Sequence, residues 1–156
     1  MICKNMESNM IRKINKDAKG LIGILLIGDE QLDMIEKYLY RGDVFEIYND
    51  KKIIAACVVT KEGDRIYELK NISVDIEFQK CGIGQKMISF FEKYYSDKAD
   101  ILLVGTGESP ITLGFYRKCG FKESHRIKDF FVNNYDHPIY ECGNQLIDMI
   151  YFKKEL

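Results

Sequence analysis

The residues with the clearest chemical potential lie in one short run, Gln79-Lys80-Cys81-Gly82-Ile83-Gly84. A strand-like stretch ends just before it at Val74, and a helical pattern begins at Gly82. The free N–H groups at a helix N-terminus carry partial positive charge and favour an anion. Gly82 and Gly84 let the main chain approach a bound group without Cβ interference. Lys80 and Lys86 add positive charge nearby. Together these features read as a binding site for phosphate or pyrophosphate. The spacing is neither G-x-G-x-x-G nor G-x-x-x-x-G-K-[ST], which disfavours a nicotinamide enzyme or a P-loop nucleotidase. The competing reading is a glycine-rich turn that binds nothing.

The other reactive side chains form no comparable group. The five cysteines, Cys3, Cys57, Cys81, Cys119 and Cys142, never make a C-x-x-C pair, and their number is odd. Neither a disulfide framework nor a cysteine-based zinc site is expected, and reduced thiols are. His125 and His137 stand alone, so no metal is expected. A covalent cysteine mechanism at Cys81 or Cys119 would need a partnering base, and no histidine is near in sequence.

The elements that would position the loop follow from periodicity. Met10 to Asn15 reads as an edge strand, followed by helices over Ala18–Ile27 and Glu30–Tyr40. Strands over Val44–Tyr48, Lys52–Thr60 and Arg65–Val74, joined by tight turns, form an antiparallel meander. Gly82–Tyr95 is helical, and Ile101–Thr106 is an apolar run expected of a strand covered on both faces. Ser109-Pro110 opens a helix that Cys119-Gly120 closes, with the Ser109 hydroxyl as its cap. Strands begin at Phe121 and at Gln145, and Ser124 to Asn144 reads as a long loop. The order predicts a mixed α/β sheet, neither doubly wound nor a barrel.

Two stretches carry a family resemblance. Ile72-Ser73-Val74 followed by Gln79-Lys80-Cys81-Gly82-Ile83-Gly84 resembles the Q/R-x-x-G-x-G/A signature of the GNAT N-acetyltransferase superfamily. Phe115-Tyr116-Arg117-Lys118-Cys119-Gly120-Phe121 resembles that family's second signature, Y-x-x-x-G-F. The element order agrees over nearly the whole chain, so residues 1–156 are expected to form a single GNAT-like domain. Its sheet would be mostly antiparallel, splayed between strands 4 and 5, with about four flanking helices.

The resemblance implies an acetyl-CoA-dependent N-acetyltransferase working by direct attack of an amine through a tetrahedral intermediate. Backbone groups at Ile72 and Val74 would hold the pantetheine arm. Gln79, Lys80, Cys81, Gly82, Ile83, Gly84 and Gln85 would hold the pyrophosphate, with Ser109 beside the donor site. Tyr116 would be the general acid that protonates the leaving thiolate, and a phenol with pKa about 10 suits that step. Its competing role is a core aromatic beside Leu113. Glu68 is the candidate general base. Strand alternation would put Glu68, Lys70, Ile72 and Val74 on one face. Against that role, Glu68 could pair with Lys70 or a cross-strand lysine, and ordered water could remove the proton instead.

The acceptor is expected to be a cationic amine, on a small molecule or a peptide. Residues 29–50 hold seven acidic side chains against two basic ones, enough for a negative wall along the groove. A solvated helix face is the plainer reading. Phe130, Phe131, Tyr135 and Tyr140 suggest a lid, a second small core or a dimer contact, and His137 is a candidate proton acceptor there. The resemblance allows a homodimer. With a net charge of −1 and no basic stripe in the sequence, no nucleic-acid partner is expected. The apolar run Leu21–Ile27 is too short for a membrane span and lacks a signal-peptide cleavage site, so a cytoplasmic location is expected. Two alternatives remain open: a CoA-binding regulatory module with this fold and no turnover, and a protein-interaction domain.

Overall fold

The computed structural model describes residues 10–15, 17–50 and 52–156. Cys3 lies outside the described residues. A seven-stranded sheet has the order β1-β2-β3-β4-β5-β9-β6. Its strands are β1 (Met10–Ile14), β2 (Asp43–Tyr48), β3 (Ile53–Gly63), β4 (Ile66–Val74), β5 (Ile101–Gly107), β6 (Lys122–Ile127) and β9 (Met149–Glu155). All neighbours are antiparallel except β4 and β5. The mixed sheet and the meander are as the sequence implied, and β1 is an edge strand. Among the described residues no helix is long and apolar enough to cross a membrane.

Helices cover both faces. On one, α1 (Ile22–Gly28) and α2 (Leu32–Leu39) bury Leu25, Ile35 and Leu39 against Ala56 and Val58 of β3. On the other, α3 (Ile83–Tyr95) and α4 (Pro110–Lys118) close the larger core. Phe45 is fully buried there, with ring centroids 5.0 Å from Phe91, 5.2 Å from Tyr94 and 5.8 Å from Phe90. Such edge-to-face pairs add to the burial energy of the rings. β5 buries only alternate residues, Leu102 and Val104 among them, rather than lying covered on both faces.

Ser124 to Asn144 is not a structureless loop. It contains most of β6, the short helix α5 (Phe130–Asn134) and the two-residue strands β7 (Tyr140–Glu141) and β8 (Asn144–Gln145). Phe131, Ile139 and Leu146 make a small separate core beneath them. α5 is a fifth α-helix, one beyond the expected count.

Two irregularities shape the centre. β4 and β5 pair only from Ile66↔Ile101 to Leu69↔Val104, although β4 runs on to Val74 and β5 to Gly107. The splay expected between strands 4 and 5 is therefore present. At the same level β3 pairs Val58 with Asn71 but Val59 with Leu69, leaving Lys70 as the extra residue of a β-bulge.

Replacing Phe45 with Ala removes the ring at the centre of the aromatic cluster. The variant is expected to lose about 3–5 kcal/mol of stability, read as a lower midpoint in urea unfolding.

Candidate active site

The splay opens a cavity of about 710 Å³. Its walls are β4 from Leu69 to Val74, the end of β5 from Val104 to Gly107, the loop leading into α3, and one face of α4. Asp29, Phe131 and Tyr135 also line it. Strand edges that stop pairing leave main-chain groups needing partners, and a cavity is where a ligand can supply them.

The loop before α3 has the geometry of an anion cradle. Lys80 and Gly82 both have positive φ, 61° and 78°. Alternation of left- and right-handed backbone turns successive N–H groups towards one concavity. Gly82 is the N-cap of α3 and supplies no side chain, so no side-chain cap bond covers the first amides of that helix. A Cβ at Gly82 would have nothing within 4 Å, so the demand for glycine is conformational, and the space in front of the helix is open. The Gln79 amide donates to the Val74 carbonyl at 3.1 Å and ties the loop to the end of β4. Gln79, Lys80, Gly82, Ile83, Gly84 and Gln85 line the cavity, as do Ile72 and Val74. A second, shallower groove continues along α3 past Lys86 and Lys93.

Three sequence candidates stand apart from that cavity. Cys81 is not among its lining residues. It is disulfide-bonded, whereas Cys57, Cys119 and Cys142 are free, so the expectation of reduced thiols throughout fails at Cys81. Ser109 is the N-cap residue of α4, but its hydroxyl makes no cap bond. It is buried, with its oxygen 3.6 Å from the Cys142 sulfur. Glu68 is buried, accepting from the Tyr151 hydroxyl at 2.9 Å and facing the Lys70 ammonium at 3.1 Å. The bulge at Lys70 breaks strand alternation. Ile72 and Val74 pack towards α3, whereas Asn71 and Ser73 face α1. Glu68 thus shares no continuous face with Ile72 and Val74.

Tyr116 lines the cavity and is also a core ring, 5.0 Å from Phe115 and 5.7 Å from Phe121 between centroids. Burial pushes its phenol above the ordinary range, with smaller contributions from Cys57, Cys119 and Glu141. The hydroxyl therefore carries its proton at neutral pH, the state a proton donor needs.

A polar chain runs along the opposite wall. The Ser73 hydroxyl donates to Asn71 Oδ1 at 2.5 Å. The Asn71 amide donates to the Leu25 carbonyl at 2.9 Å and to the Tyr38 oxygen at 3.0 Å. The Tyr38 hydroxyl donates to Asp29 Oδ2 at 3.0 Å, and Tyr135 from beyond α5 donates to Asp29 Oδ1 at 2.7 Å. Sequence reasoning gave Asn71 and Ser73 no role, and because β4 also carries Glu68 and Lys70 the two did not stand out as polar residues in it. Of the seven acidic residues expected to form a wall, Asp29 is the one that lines the cavity. Asp43 pairs with Lys13 and Glu46 with Arg12. His137 lines a separate pocket of about 220 Å³ and faces Asp136 and Glu30. Among the described residues no group of three or more His, Cys, Asp or Glu side chains could hold a metal ion.

Residues 40–123 match the family model described as an acetyltransferase (GNAT) domain. The chain belongs to the GNAT acetyltransferase family. An uncharacterised N-acetyltransferase of Bacillus subtilis (strain 168), YvbK, is 32% identical over 94% of this chain and 96% of its own. A GNAT family acetyltransferase from Elizabethkingia anophelis, solved with acetyl-CoA bound, superposes with a TM-score of 0.89 at 30% identity, covering 96% of this chain and 99% of that one. A Bacillus subtilis acetyltransferase in complex with CoA gives a TM-score of 0.86 at 31% identity, covering 95% and 99%. This GNAT chain is accordingly an acyl-CoA-dependent N-acetyltransferase.

The raised Tyr116 has a consequence for stability. Above the ordinary phenol value of about 10, the folded chain holds a proton that the unfolded chain has lost. That contribution is complete below this pH and disappears as pH rises towards the folded value. Burial shifts Tyr38, Tyr95, Tyr135 and Tyr151 in the same direction. Urea unfolding across about pH 8 to 11 should show a decline that begins with the buried Cys57 thiol, whose ordinary value is about 8.5, and steepens through the phenols near pH 10. The decline should be shallower in Tyr116→Phe; equal slopes would mean that the Tyr116 hydroxyl titrates as it does in water.

Proposed function

We propose that this GNAT enzyme moves the acetyl group of acetyl-CoA to the primary amine of a small cationic molecule by direct attack. The observation that carries this reading is the splay between β4 and β5. It runs from the cradle at Lys80 and Gly82 to the phenol of Tyr116 in one continuous cavity. The seven-stranded sheet, which draws on β1 as well as β9, supports treating the chain as one acetyltransferase domain.

The donor fits the residues present. The amides of Gly82 to Gln85, at the open start of α3, would hold the pyrophosphate, with Lys80 and Lys86 offsetting its charge. The Ile72 and Val74 edge of β4 would bond the pantetheine amides in place of the missing strand partner. Acetyl-CoA, when bound there, supplies an activated acetyl group. Water would first take a proton from the acceptor ammonium, and the freed amine would add to the acetyl carbonyl carbon. Collapse of that tetrahedral adduct would break the carbon–sulfur bond as the nitrogen loses its second proton to water, and Tyr116 would give its proton to the departing thiolate and regain one from solvent. Glu68, held by Lys70 and Tyr151 outside the cavity, serves the fold rather than this step.

A small acceptor is favoured over a protein tail by the bonds that hold the α5 segment against the Asp29 side of the cavity. There the Asp136 amide donates to the Gln31 side chain at 2.9 Å, and Tyr135 reaches Asp29. These bonds tie the α5 segment to the start of α2.

Calorimetry tests the donor site. Wild type should bind acetyl-CoA, and Gly82→Glu should not, because it adds strain at positive φ and a carboxylate facing the pyrophosphate. Equal binding by the variant would remove the loop from the donor site. Steady-state assays test the acid. Tyr116→Phe should lower kcat by about 10²- to 10⁴-fold with little change in acetyl-CoA affinity; a full-rate variant would show that the leaving thiolate needs no donor.

A further inference from the structure

We propose that Asp29 is the acceptor's counter-ion: its carboxylate binds the ammonium of the incoming amine in the cavity and makes positive charge a condition of acceptance. This rests on the acetyltransferase reading above and names the residue that selects its substrate class.

Asp29 follows α1 and faces the cavity. The residue before it, Gly28, is pressed against β4. A Cβ there would come within 2.4 Å of the Ser73 hydroxyl, 2.8 Å of Asn71 Oδ1 and 3.1 Å of the Ile72 main-chain carbonyl. Glycine at 28 is thus what brings the chain onto β4 just past the point where that strand parts from β5. The next residue, about 3.8 Å further along the main chain, is Asp29. Its carboxylate is anchored beside the strand edge assigned to the thioester arm.

The charge of Asp29 is not compensated by the protein. Glu46 faces Arg12 and Glu68 faces Lys70, but among the described residues no lysine, arginine or histidine pairs with Asp29. Its partners are two neutral phenols, Tyr38 and Tyr135, one on each oxygen. A carboxylate offers about four acceptor positions; the two phenols and the Gln31 main-chain amide take three, so about one is left for a further donor. Placing a half-buried carboxylate with neutral donors alone is costly unless a cation completes the site. Burial indeed holds this carboxyl above its ordinary range, despite the two phenols and a main-chain amide that favour ionisation. Phe131 and Ile27 stand beside it on the cavity wall, so the site suits an ammonium carried on an apolar body.

The test compares two ligands of equal shape, hexylamine and hexan-1-ol, binding to the CoA-loaded protein. Wild type should prefer the amine by at least about tenfold, the factor expected of one charge-assisted pair worth about 1.4 kcal/mol. Asp29→Asn should abolish that preference while leaving CoA affinity within about twofold. A merely structural Asp29 would weaken both ligands together, so a preference retained in Asp29→Asn overturns the proposal, as does a wild type that shows none. Should Asp29→Asn lose its cooperative melt, Asp29→Glu is read instead. It keeps the charge and displaces it, so the preference must survive with a shorter amine now bound best; an unchanged chain-length ranking overturns the proposal. Turnover of acetyl-CoA with hexylamine separates the two levels. Wild-type turnover with an unaltered ligand preference in Asp29→Asn removes Asp29 alone, whereas no turnover with any amine removes the acetyltransferase reading beneath it.

Discussion

The site depends on one constraint: two parallel strands that must stop bonding to each other. β4 and β5 share a register for only four residues and then separate. A strand edge without a partner is unfavourable unless something else occupies it. The bulge at Lys70 coincides with this point, increases the local twist and turns the following residues. Everything around the cavity answers to that divergence. α3 starts where its N-terminus faces the gap, α4 covers one side with Tyr116 and Phe115, and α1 brings Gly28 onto the other. Filling the gap with a continuous ladder would strengthen the sheet and abolish the site.

Much of this was legible because it is local. The cradle needed only a glycine pair, a lysine and the change from strand to helix period, all within Val74 to Gly84. The meander was written in β-branched residues and turn signals. What escaped was set by contacts distant in sequence or by short elements. The face of Glu68 depends on the Lys70 bulge, which has no signature in the residues around it. α5 has five residues and β7 and β8 two each, too few for a period to show. Ser109-Pro110 marks the start of α4 correctly, yet the hydroxyl turns towards Cys142, because the sequence rule gives the position and not the rotamer. The bonding of Asp29 depends on Tyr135, 106 positions away. Composition suggested an acidic wall, but of the seven acidic residues only Asp29 lines the cavity, and Asp43 and Glu46 are paired to Lys13 and Arg12.

The two ends of the cavity use opposite chemistry. At the donor end the protein offers cationic and main-chain donor groups, on a loop whose conformation rests on positive φ at Lys80 and Gly82. At the other end it offers an acceptor group held by phenols. Aromatic side chains are suited to both tasks, with rings that fill the wall and hydroxyls that find partners. Tyr135 combines both roles, Tyr38 supplies a partnered hydroxyl from behind the wall and Tyr116 a ring on it, and burial keeps all three protonated at neutral pH.

The position of β9 has a consequence of a different kind. It is last of the strands in chain order, yet it lies inside the sheet between β5 and β6. While the chain is being made, β5 has no partner on that side until Met149 to Glu155 has left the ribosome. For that interval the nascent sheet ends on an apolar edge that can pair with another chain. The fold therefore closes by insertion rather than by addition at a rim, and its assembly has a late step set by the order in which the strands are synthesised.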